Sequence, residues 1–120
     1  MQTSELENTI MQSLLADLPP DLECLRTQYD HAIVIDRDFT GVGVFTSFSI
    51  PDSLKRVVPE SFQLEGYLTL QGVPGGATAL LFVERGVISF LEVVTFAGEW
   101  PEHPILLSFE PVTTINASDH

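Results

Sequence analysis

Glu92 is the residue whose type and setting come closest to chemistry. It falls in a stretch of alternating apolar character, Val87 to Phe96, and at a strict period of two it shares a face with Ile88, Phe90, Val94 and Phe96. A carboxylate among apolar side chains is costly to keep ionised, so its pKa rises unless a cation or hydrogen-bond donors compensate. Such a group suits a general acid or base, or an anchor that selects a polar ligand. A glutamate at a sheet edge, bonded to a backbone amide or an arginine, gives the same pattern, and that structural role is the favoured one.

Glu99, Trp100, Glu102 and His103 suit recognition better than catalysis. Trp100 beside Pro101, flanked by Glu99 and Glu102, joins an aromatic anchor to an acidic rim, which suits a basic protein surface. The competing reading tucks Trp100 over the end of a sheet. His103 can pair with Glu99 or Glu102, but one histidine with nearby carboxylates is a poor zinc set. His31, Asp36 and Asp38 lie at opposite ends of one predicted strand, more than roughly 10 Å apart at about 3.3 Å per residue, and make no local site. Ser47 and Ser49 lack the Gly-x-Ser-x-Gly turn of a hydrolase elbow. Thr40-Gly-Val-Gly43 precedes a strand rather than a helix, and Gly72 to Gly76 lacks the lysine of a phosphate-binding loop. No metal or cofactor is expected.

Charge narrows the partners. Seventeen Asp and Glu against five Lys and Arg give a formal charge of −12 in 120 residues. Nucleic acid is disfavoured because binding phosphates relies on lysine and arginine displacing counterions. Anionic membranes are disfavoured for the same reason. A basic protein is the electrostatic complement, although acidic charge also keeps an apolar domain dissolved. The lone Cys24 excludes an internal disulfide and reads as a small buried hydrophobe. The N-terminus has neither the basic nor the apolar region of a secretion signal, and no apolar run is long enough to span a bilayer, so a cytoplasmic setting is expected.

The elements that must position these residues follow from periodicity. Ser4 and Glu7 have capping-box spacing, and Leu6, Ile10, Leu14 and Leu18, widened by Met11 and Leu15, trace one helical stripe up to Pro19-Pro20. A shorter helix with Leu22, Leu25 and Tyr29 inward follows, placing helices over about 4–29. Strands are expected at His31 to Ile35, ending in an Asp36-Arg37-Asp38 turn, and at Gly43 to Ile50, with Val44, Thr46, Phe48 and Ile50 on one face. A polar loop with Lys55-Arg56 leads to Phe62 to Leu70. Ala77 to Val83 and Val87 to Phe96 join through Glu84-Arg85-Gly86, and Ile105 to Phe109 comes last. Residues 111–120 read as a loose tail. A chain of 120 residues fits a single domain. Its order of helices and then strands predicts an α+β fold, with two helices on one face of a roughly six-stranded antiparallel meander sheet.

Thr40-Gly-Val-Gly-Val-Phe-Thr46, Leu81 to Glu92 with its Glu84-Arg85-Gly86 turn, and Trp100-Pro101 resemble a group of small bacterial proteins without an established activity. Their pattern is a Thr-Gly-x-Gly-Phe-Phe-Thr strand, an Arg-(Asp or Asn)-Gly hairpin leading into a Leu-Glu strand, and a Trp-Pro turn. This chain departs from it at Val44 and in the Glu84-Arg85-Gly86 turn. The resemblance covers roughly residues 31–104 and implies the strand layout and a bacterial origin. By analogy of build, small acidic bacterial proteins of this kind include immunity proteins of toxin systems.

Together these features favour a non-enzymatic protein-binding domain, of which an immunity or antitoxin type is one form, over two alternatives. One is a small-molecule binder or enzyme with a pocket involving Glu92. The other is a structural homodimer through an unprotected sheet edge.

Overall fold

The computed structural model describes residues 4–58, 60–112 and 116–117. Helix α1 spans Glu5–Leu14, a 3-10 turn spans Pro20–Leu22, and helix α2 spans Cys24–Asp30. The strands are β1 (Ile33–Phe39), β2 (Gly43–Ser49), β3 (Phe62–Leu70), β4 (Ala77–Glu84), β5 (Val87–Thr95), β6 (Leu106–Pro111) and the short β7 (Asn116–Ala117). The fold is α+β, as the order of periodicities predicts.

Every strand pairing is antiparallel, in the order β1-β2-β5-β4-β3-β6, with β7 also on β3. Strands β3, β4 and β5 form the meander expected from short links. The β1–β2 hairpin docks on β5 and β6 returns to β3, both reached through the longer connections 50–61 and 96–105. Residues 116 and 117, in the stretch read as a loose tail, pair with Gln63 and Phe62, while 113–115 and 118–120 lie outside the described residues.

Helix α1 starts where the capping box places it. The Glu7 amide donates to the Ser4 hydroxyl at 3.2 Å, and the Ser4 amide donates to Glu7 Oε1 at 2.8 Å. The helix ends at Leu14 rather than running on to Pro19. Its freed carbonyls are taken from outside: Arg26 Nε donates to the Leu15 carbonyl at 2.7 Å, and Arg26 Nη2 donates to that of Ala16. Ile10, Met11 and Leu14 from α1 and Leu25 and Tyr29 from α2 enter one core with the inward residues of the sheet. Tyr29 meets Phe48 edge-on at 6.3 Å, which places α2 on the same face as Val44, Thr46 and Phe48.

Two irregularities decide which side chains face that core. Strand β1 continues through residues 36–38, where a turn was expected, because these residues pair with Phe45, Thr46 and Ser47. The reversal instead comes at 40–42. A bulge leaves Ile35 without a partner, so that Val34 and Arg37, three apart, both point inward. A bulge at Ser89 in β5 likewise turns Ile88 inward with Leu91, while Phe90, Glu92 and Val94 face the other way. Ile88 therefore does not share a face with Glu92, contrary to a strict period of two.

The β4–β5 hairpin closes through Arg85 (φ 57°) and Gly86 (φ 79°), two left-handed residues matching the twist of the strands they join. A Cβ on Gly86 would lie 2.9 Å from the Val57 carbonyl oxygen, so only glycine fits there. The fully buried Gln28 clamps this hairpin. Its Nε2 donates to the carbonyls of Lys55 and Gly86 at 2.9 and 3.0 Å, and its Oε1 accepts from the Ile88 amide at 2.9 Å. The loop carrying Lys55 and Arg56 is thereby held against the hairpin tip, where Arg56 donates to the Arg85 carbonyl.

Candidate functional site

A cleft of about 680 Å³ opens on the helix side of the sheet, at the end of β5 away from the Arg85 turn. Four segments converge on it: the start of α1 (Ser4, Glu5, Leu6, Glu7), the end of β1 (Arg37, Phe39), the start of β2 (Gly43, Val44), and the loop from Trp100 to Ile105. The loop is tied to the hairpin by the Trp100 amide donating to the Gly41 carbonyl at 2.9 Å. The Val42 carbonyl accepts from the Thr95 amide at 2.9 Å and its hydroxyl at 3.0 Å, and that hydroxyl also lies 2.9 Å from the Gly98 carbonyl oxygen. Gly43 permits the close approach of β2 to β5, because a Cβ there would lie 2.0 Å from the Val93 carbonyl oxygen.

The cleft is lined by an ion pair of the buried Glu7 and the half-buried Arg37. Arg37 meets the Glu7 carboxylate with two parallel bonds, Nε to Oε2 at 2.8 Å and Nη2 to Oε1 at 2.7 Å. The buried Thr46 hydroxyl donates to Oε2, and the Ser4 amide donates to Oε1, so each oxygen accepts two bonds. Burial by itself would raise the Glu7 pKa, but the bonds from Arg37, Thr46 and Ser4 outweigh it and hold the group below its ordinary value. The bond to Glu7 pushes the Arg37 pKa further up. Such a pair is charged, satisfied and rigid, which suits a wall better than a proton-transfer group.

The residues singled out from sequence fall in two places. Trp100, Glu102 and His103 line the cleft, with Trp100 half-buried and Glu102 and His103 exposed at its rim. His103 Nε2 lies 3.7 Å from Glu102 Oε1. Glu99 is exposed and stands outside the lining. Glu92 is half-buried on the opposite face of the sheet, paired across the ladder with Phe45 and Leu80. None of the four cavities described includes it. His31 Nδ1 lies 2.9 Å from the Thr27 carbonyl at the end of α2, away from Asp36 and Asp38. Among the described residues no group of three His, Cys, Asp or Glu is placed to hold a metal ion, and no helix is long and apolar enough to cross a membrane.

Of the charged residues lining the cleft, Glu5, Glu7 and Arg37 were not assigned to a site from sequence, Glu7 being read only as a helix cap. Glu7 carried a usable signal: it lies one turn before Met11, in line with the buried stripe. Arg37 carried none, because the bulge at Ile35 decides its face. Comparison with known proteins finds no matching family model, no matching curated protein and no matching solved structure.

Proposed function

We propose that this chain is a non-enzymatic binding domain that receives a basic segment of another protein in the Trp100 cleft. One observation carries this reading. The cleft is walled by apolar side chains, among them Trp100, Phe39, Val44 and Ile105, while Glu5 and Glu102 stand at its rim. The guanidinium within it, Arg37, is turned into Glu7. A lysine or arginine beside an apolar side chain matches that combination, with the aromatic ring as anchor and the carboxylates as guides. Neutralisation of a basic toxin domain, the immunity-type role, is a specific instance of this reading.

The test is capture of a basic partner by the full chain at low salt, repeated with Trp100→Ala and with Glu5→Gln/Glu102→Gln. Trp100→Ala is expected to weaken the complex by about 2 kcal/mol, roughly thirtyfold. The carboxylate pair is expected to slow association and flatten its salt dependence. Equal binding by all three proteins would remove the cleft from the interface.

A further inference from the structure

The face of the sheet opposite the helices carries apolar and aromatic side chains that none of the described helices covers. Phe82 and Phe90 stack at 4.3 Å, and Phe45 extends that group with its ring 6.1 Å from Phe90. Farther along the strands Tyr67 and Phe96 meet at 6.2 Å, and they are 45% and 58% exposed. A contiguous apolar sheet face ordinarily packs against a second layer.

The ladder sets carboxylates on this face in two settings: Asp36, Asp38 and Glu110 are exposed on the outer strands, and Glu65 and Glu92 are half-buried among the central ones. Leu80 on β4 lies between Glu92 on β5 and Glu65 on β3, its direct partners on either side. Two strand spacings separate Glu92 from Glu65, about 10 Å, which is the width of an α-helix. Both are half-buried, and among the described residues neither carboxylate has a hydrogen bond or ion pair. The chain's five cations all lie elsewhere: Arg26 on α2, Arg37 on the helix side of β1, Lys55 and Arg56 in the β2–β3 loop, and Arg85 at the hairpin tip.

We propose that this face docks an amphipathic helix of a partner protein. The helix lies along β4, its apolar stripe seated on Leu80 and Phe82, with a lysine or arginine on one flank facing Glu92 and on the other facing Glu65. The rings of Phe45, Phe90 and Tyr67 beside these carboxylates add cation–π contacts to the same basic groups. A second copy of this chain is the wrong occupant, since the same face of the copy carries no cation to meet Glu65 and Glu92. The inference rests on the reading of this chain as a receptor for basic protein, but it concerns a surface on the other side of the sheet from the Trp100 cleft.

The test uses the full chain and a helical peptide of about 18 residues with a leucine stripe flanked by lysines, beside a counterpart with glutamates in place of the lysines. Amide shifts read by NMR are expected to move on β3, β4 and β5 around Glu65, Leu80 and Glu92 with the lysine peptide only. Glu65→Gln/Glu92→Gln, whose substitutions keep the side-chain shape, is expected to bind that peptide about tenfold more weakly, with an unchanged melting temperature. Trp100→Ala is expected to bind it as the parent does, which separates failure of this inference from failure of the cleft reading. The proposal is overturned by equal binding of the two peptides, by shifts confined to the cleft, or by undiminished binding to the double variant. A concentration-dependent dimer abolished by Phe82→Ser would overturn it too, by assigning the face to a second copy.

Discussion

Glu7 does two jobs that a helix-capping residue rarely combines. It closes the capping box with Ser4, and it binds Arg37 and Thr46, which belong to the first two strands. Replacing it with glutamine leaves the half-buried Arg37 guanidinium without its counter-charge, and about 2 kcal/mol of stability should be lost in urea unfolding at neutral pH. The pH dependence has a definite sign. The folded-state pKa of Glu7 lies below its ordinary value, so its contribution is complete above the unfolded value of about 4.3 and fades as pH falls through the lower folded one. The stability gap between the parent and Glu7→Gln should therefore stay constant from neutral pH down to about pH 5 and narrow below about pH 4. A gap independent of pH throughout that range would mean that Glu7 is held by packing alone.

At the scale of elements, what could be read from sequence was whatever depended on a clean period. The inward face of β3, Phe62 to Leu70 by alternation, and the start of α1 at Ser4 stand as the sequence predicts. What escaped depends on single-residue insertions. The bulges at Ile35 and Ser89 each reverse the facing of everything beyond them, and no residue type announces them. The cleft was half legible. Trp100, Glu102 and His103 stood out by composition, whereas the walls opposite them come from the segments Ser4 to Glu7 and Arg37 to Val44, a distance that no local pattern spans. The link between these walls is Thr95. Thr95→Val keeps the shape but leaves the Val42 and Gly98 carbonyls without its hydroxyl. It should cost about 1 kcal/mol. Emission from Trp100, the chain's one tryptophan, should shift to the red as the loop loosens. An unchanged spectrum would show that the amide bond to Gly41 suffices to hold the loop.

For the molecule as a whole, a charge of −12 on 120 residues acts against compactness. Salt should therefore raise the melting temperature by several degrees between about 10 and 300 mM sodium chloride, as screening shortens from roughly 30 Å to below 10 Å. A flat response would mean that the carboxylates are spaced too widely to repel one another. The charge is also unevenly placed. Lys55, Arg56 and Arg85 gather where Gln28 pins the β2–β3 loop to the hairpin tip, while the Trp100 cleft opens at the other end of β5, about 25 Å away at 3.3 Å per residue. Three of the five cations thus sit at one end, where they offset Asp52, Glu60 and Glu84, so that the net negative charge falls on the rest of the molecule. In the field of a basic protein it would turn during approach, presenting the cleft end first and trailing the hairpin tip. By holding that loop in place, the buried Gln28 would set the direction from which a basic partner of the proposed kind arrives.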